Sequence, residues 1–250
     1  MALKDKLKWS GAIENRRRAL EDAKLDLPSS CNPKFSYSCL IGTTSGYAIE
    51  CYLAGKATES LEAAKQVVWA ALEYFYGGWR KVQPTPDGTV GHEAWKPFCL
   101  WYEQVTESLP WACALSDWEA LRRIAEYPPE DRLPEAAKAK GETAWVWALI
   151  SFLRGDQRTR VEGFIAKAEA DKAKRPKLLG PVLRALLNED DAGFERALVA
   201  YLTYYRKSEF RLELDKVLAL DGTILYHLGR KLGFKIELPE NVADHVIRLG

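Results

Sequence analysis

Three histidines (His92, His227 and His245) and five cysteines (Cys31, Cys39, Cys51, Cys99 and Cys113) are the obvious candidates for metal or nucleophilic chemistry in this 250-residue chain. A helical metal site needs a second ligand three or four residues away on the same face, and no HExxH, CxxC or Glu-x-x-His spacing occurs. Asp244 and His245 are adjacent and therefore point in different directions. Cys99 and His92 have no third group that would orient them as a nucleophile and its base. GxSxG and a paired-carboxylate motif are missing as well, so no metal and no cofactor is expected. His227 and Arg230, three apart, can hold an anion, but a lone helical histidine near a capped C-terminus is more often structural.

Asp221 is the most unusual single residue. In LALDGTILYHL it has apolar neighbours on nearly every side. Either it is buried and bonded to an Arg, a Tyr or a backbone amide of an adjacent hairpin, or it lines an exposed polar groove. The first reading is favoured, and it requires a partner, because an unpaired buried carboxylate is costly. An enzyme reading would unite Asp221, His227 and Arg230 in one deep pocket.

The stretch that positions these residues is the C-terminal one. Apolar residues at Val217, Leu218, Leu220, Ile224, Leu225, Leu228 and Leu232 recur as on a helix with one buried face. Gly233 follows as an αL cap, with Arg230 and Lys231 in the last turn. Leu238-Pro239-Glu240 breaks the chain before a short last helix carrying Val242, Val246 and Ile247.

Upstream, the spacing predicts helices over 3–24, 35–53, 58–76, 93–115, 117–127, 135–154, 160–171, 178–187 and 194–206. The Arg16-Arg17-Arg18 run, set among Glu14, Glu21 and Asp22, is expected to form a solvated face. Gly42 and Gly46, four apart, mark a place where another helix approaches closely. Residues 80–91, with two prolines and an Asp87-Gly88 turn, form a candidate binding loop. Pro110 is expected to kink or split its helix, and KAKRPK (172–177) to be an exposed basic linker.

Three places share one design, in which an apolar helix end and a polar turn are followed by an aspartate that caps the partner helix. They are Leu115-Ser116-Asp117, Leu153-Arg154-Gly155-Asp156 and Leu187-Asn188-Glu189-Asp190, with the aspartates 39 and then 34 residues apart. That is the spacing of helical-hairpin repeats. The strict tetratricopeptide pattern is not met, and strand signals are nearly absent. The fold expected is all-α, with stacked antiparallel helical hairpins, tetratricopeptide-like but irregular. It is expected as a single domain over 1–250, with any subdivision near 80–91.

Composition narrows the function. With 36 basic against 35 acidic residues there is no electrostatic footprint for nucleic acid. No run is long enough to span a bilayer, and the N-terminus carries no signal-peptide pattern, so a cytoplasmic protein with reduced thiols is expected. Nine tryptophans and eleven tyrosines must be buried or used at an interface.

The segment Trp111-Ala112-Cys113-Ala114-Leu115-Ser116-Asp117-Trp118-Glu119-Ala120-Leu121, followed by Ile124-Ala125 and Pro128, resembles the W-x-x-A, R/S-D, L-x-x-L, P run of bacterial immunity protein family forty-nine. The segment from Leu220 to Ile224 and Leu225, and on to Arg230-Lys231-Leu232-Gly233, is similar in manner to the ends of such proteins. The resemblance implies an all-helical, cytoplasmic, non-enzymatic protein that binds and neutralises a cognate toxin of a polymorphic toxin system. It transfers no contact residue. From the residues themselves, the candidates for gripping that partner are Tyr201, Tyr204, Tyr205, Asp87 in the 80–91 loop, His227 and Arg230. A helical-repeat scaffold is the alternative.

Overall fold

A computed structural model of the protein describes residues 9–26, 33–76, 101–126, 133–207 and 218–249. Among the described residues there are twelve helices and no strand, so the all-α fold is observed. None of these helices is long and apolar enough to cross a membrane. The chain divides into two compact units, Met1–Trp111 and Ala112–Gly250.

The first unit holds α1 (Trp9–Asp26), α2 (Pro33–Leu53), α3 (Ala57–Tyr76) and most of α4 (Trp101–Ala114). Helix α2 is its centre, because it is apolar on several sides: Leu40, Ile41, Ala48, Ile49 and Cys51 are all buried. Helices α1 and α3 both pack on it. The α2–α3 pair is antiparallel, since the Ser60 hydroxyl donates to the Ala48 carbonyl (3.0 Å) while Tyr37 meets Trp69 edge-on (5.9 Å between centroids). On α4, Gln104 donates to the Ser38 hydroxyl (2.8 Å) and the buried Trp111 indole to the Ser45 hydroxyl (2.9 Å). Pro110 lies inside α4 without splitting it. The expected helix started at 93, and residues 93–100 lie outside the described ones, as do residues 1–8 of the first predicted helix.

The second unit contains the end of α4, then α5 (Trp118–Glu126), α6 (Leu133–Lys138), α7 (Gly141–Arg154), α8 (Arg158–Glu169), α9 (Lys174–Leu187), α10 (Asp191–Lys207), α11 (Leu220–Lys231) and α12 (Glu240–Ala243). Helices α7 and α8 form one hairpin and α9 and α10 the next. Helix α9 packs on both α7 and α8, and α11 on both α9 and α10, so the leading helices α7, α9 and α11 lie in a row.

The three expected turns share one backbone. Ser116 (φ 56°), Gly155 (φ 70°) and Glu189 (φ 55°) are left-handed, and each closes its helix with a paired set of turn bonds, such as Asp190 N–H to the Ala185 carbonyl and Glu189 N–H to the Leu186 carbonyl. Asp117 then caps α5 by accepting from the Ala120 amide (3.0 Å), and Asp190 caps α10 by accepting from the Gly193 amide (2.8 Å). Asp156 instead pairs with Arg160 (3.5 Å).

Two expectations give way. The helix predicted over 135–154 is two helices, because Gly141 takes φ 50° and the Asp171 carboxylate sits where a β-carbon would be, within 2.7 Å. The KAKRPK stretch is not a linker throughout, since α9 starts at Lys174. Pro176 falls in the first turn, where no intrahelical N–H is required.

Candidate functional site

Asp221 is buried, 3% exposed, in the first turn of α11. Four donors from three helices converge on it. The Trp145 indole N–H of α7 donates to Oδ1 (3.1 Å). On Oδ2 meet Arg175 Nε (3.0 Å) and Nη2 (2.5 Å) of α9, and the Tyr201 hydroxyl of α10 (3.3 Å). Arg175 also donates through Nη1 to Glu142 of α7 (2.5 Å). Glu142, Arg175 and Asp221 are each the second residue of their helices, so they form a ladder across the leading row α7, α9, α11. The guanidinium in its middle is pulled two ways: burial lowers its pKa, but Asp221, Tyr201 and Glu142 outweigh that and hold it fully charged. Burial raises the Tyr201 and Glu142 pKa values, with Asp221 adding to both. Every donor on Asp221 is matched to an acceptor, and the arrangement is a fastening of four helices.

Of the other residues named from the sequence, Tyr201 alone joins it. Tyr201 is fully buried (0% exposed), which removes it from any partner-facing surface; its ring fills the core because α10 packs on α9 and α11 along that face. Tyr204 is half-buried, with the Lys174 ammonium 5.0 Å from its ring centroid. Tyr205 donates its hydroxyl to the Leu218 carbonyl (2.9 Å). The ring nitrogen Nε2 of His227 meets the Ile247 carbonyl (2.8 Å), and burial lowers the His227 pKa, helped by Arg230 and Arg248 and opposed by that hydrogen bond. Arg230 is exposed and reaches the Tyr226 hydroxyl (3.5 Å). Asp221, His227 and Arg230 thus have separate hydrogen-bond partners. Asp87 and the 80–91 loop lie outside the described residues.

A different feature stands out in the first unit. With α1 and α3 both lying on α2, an open groove of about 640 Å³ runs between them, with Leu20, Tyr47 and Ala63 among its lining. The α1 rim carries Arg17, Glu21 and Lys24, and the α3 rim carries Glu59, Glu62, Lys65 and Trp69. Trp69 is 44% exposed, and Tyr76, seven residues further along α3, is 39% exposed. They are two of the three exposed large apolar side chains among the described residues. Trp69 was missed in the sequence, yet a signal was there: it lies out of phase with the buried row of α3, among Glu62, Lys65 and Gln66.

Beside the groove, the arginine run departs from expectation at one position. Arg17 pairs with Glu14 and Glu21, and Arg18 with Glu14, on the solvated face expected. Arg16 turns inward and donates to Glu50 (2.8 Å), an acid only 2% exposed. Gly46 makes room for it, since a β-carbon there would lie 2.2 Å from Arg16 Nη1. What approaches Gly42 and Gly46 is therefore the side chains of Glu107 and Arg16.

Cys51 and Cys113 are buried thiols outside any disulfide. Among the described residues no group of three or more His, Cys, Asp or Glu is placed to hold a metal ion. Compared with family models, curated proteins and solved structures, the chain finds no match in any of the three.

Proposed function

We propose that this chain is a binding protein for another protein, and within that class an immunity protein that neutralises a cognate bacterial toxin with no reaction of its own. The observation that carries the binding reading is Trp69. A tryptophan left 44% exposed beside Tyr37, on the rim of an open groove, is the kind of anchor that dominates protein interfaces. Covering such a ring releases about 2 kcal/mol of hydrophobic free energy, which the isolated chain forgoes. The toxin itself is supported by the resemblance of the 111–128 segment to immunity proteins. The row of leading helices in the second unit favours one further reading, a helical-repeat scaffold joining other proteins.

Coexpression with the protein encoded immediately upstream tests the proposal. The expected result is a co-purifying complex and rescue of growth from that protein's toxicity. A complex without rescue leaves the scaffold reading, and neither complex nor rescue rejects both.

A further inference from the structure

We propose that the partner's contacting element is one amphipathic helix laid along the α1–α3 groove, with a base facing Glu59 and an acid two turns away on its opposite flank facing Lys24. This rests on the binding reading above and names what binds.

The form of the ligand follows from the rims. Both are α-helices, whose backbone groups are bonded internally, so neither offers the free edge that an extended strand would need. What the rims offer is side chains at helical spacing: Arg17, Leu20, Glu21 and Lys24 on one side, with Glu59, Glu62, Gln66 and Trp69 facing them. Two parallel ridges over a floor of small and aromatic side chains are the receptor for a third helix. From Thr58 to Trp69 the groove follows α3 for about 16 Å, and the exposed Tyr76 carries the stripe to about 27 Å, so the ligand helix spans three to five turns.

Its charge pattern follows from which groove ions are already engaged. Arg17 is held by Glu14 and Glu21, and Lys65 by Glu62 (2.7 Å). Among the described residues Lys24 and Glu59 have no ion-pair partner. They stand on opposite rims. Arg16 bonds Glu50 and Ser60 bonds the Ala48 carbonyl, so the α1 and α3 stretches that carry Arg17 and Glu59 meet α2 within one turn of each other and lie at one level of the groove. Lys24 is seven residues beyond Arg17 on α1, about 10 Å along the axis. One free anion and one free cation at diagonal corners specify which flank of the incoming helix carries its base and which its acid.

The test uses the full chain and two synthetic 21-residue helical peptides with leucine at the heptad seam positions. One carries Lys on one flank and Glu two turns away on the other, arranged to meet Glu59 and Lys24. The second has Lys at both positions. By titration calorimetry the matched peptide should bind about tenfold tighter. The variant Lys24→Glu, which makes both corners acidic, should reverse the preference, and Trp69→Ala should weaken both peptides, with far-UV circular dichroism unchanged in each variant. Binding of neither peptide, or a preference that does not reverse, overturns the proposal. The coexpression complex separates the two levels: a complex whose affinity ignores both substitutions sinks the helix-in-groove model alone, whereas no complex sinks the binding reading beneath it.

Discussion

Each unit buries one carboxylate against an arginine, and the two pairs are built differently. In the first, Arg16 gives Glu50 a single bond to Oε1, and Oε2 has no hydrogen-bond partner. In the second, both oxygens of Asp221 are occupied, by Trp145, Tyr201 and two nitrogens of Arg175. A buried ion pair is worth having only when its remaining lone pairs are met, so the second pair is the stronger fastening and the first leaves desolvation partly uncompensated. Geometry explains why. Asp221 is reached from three helices at once, whereas Glu50 is reached by one side chain that lies over Gly46.

The contrast can be broken most sharply at Asp221. Asp221→Asn must turn an NH2 group toward a donor, since all four of its partners donate, and should cost about 3 kcal/mol by urea titration. A loss under 1 kcal/mol would mean that the four bonds contribute little. Next in size is Gly46→Ala. The added methyl displaces Arg16 and strands a buried anion, so a net loss of about 2 kcal/mol is expected even though alanine is the better helix former by about 1 kcal/mol. Stabilisation would show that Arg16 can give way freely.

The turns offer a smaller test of the same pair of units. Gly55 closes the α2–α3 turn in the left-handed region without strain, while Glu189 does the same job at φ 55° with a side chain. Glu189→Gly should stabilise the chain by about 0.5–1 kcal/mol, read as a rise in melting temperature. Smallest of all is Glu50→Gln. The amide oxygen keeps the Arg16 bond and the NH2 takes the place of the unpartnered Oε2, so the change should stay within about 0.5 kcal/mol. A penalty as large as that of Asp221→Asn would erase the distinction between the two pairs.

What the sequence disclosed follows the range of the forces involved. Apolar periodicity and the Asp117 and Asp190 caps are local, and the helices and turns they specify are present. That Asp221 must have a partner was also legible, because a lone acid among apolar residues allows little else. Which partner was not, since Arg175 lies 46 residues away inside what looks like a basic linker. The break before Gly141 was hidden for the same reason, since the Asp171 carboxylate that crowds this glycine comes from the turn between α8 and α9. Tyr201 looked like an interface ring because its helix carries three tyrosines, and periodicity alone does not say which of several apolar stripes meets solvent.

The ladder also has a bearing on how the chain is made. Arg175 leaves the ribosome 46 residues ahead of Asp221, an interval of roughly 2–9 s at ordinary rates of synthesis. Over that interval Glu142, already emerged, is the ladder's only acid within reach of the guanidinium. The half-made protein therefore has one of the two acids that finally flank its central cation, and the α7–α10 hairpins gain their second only when the last helices arrive.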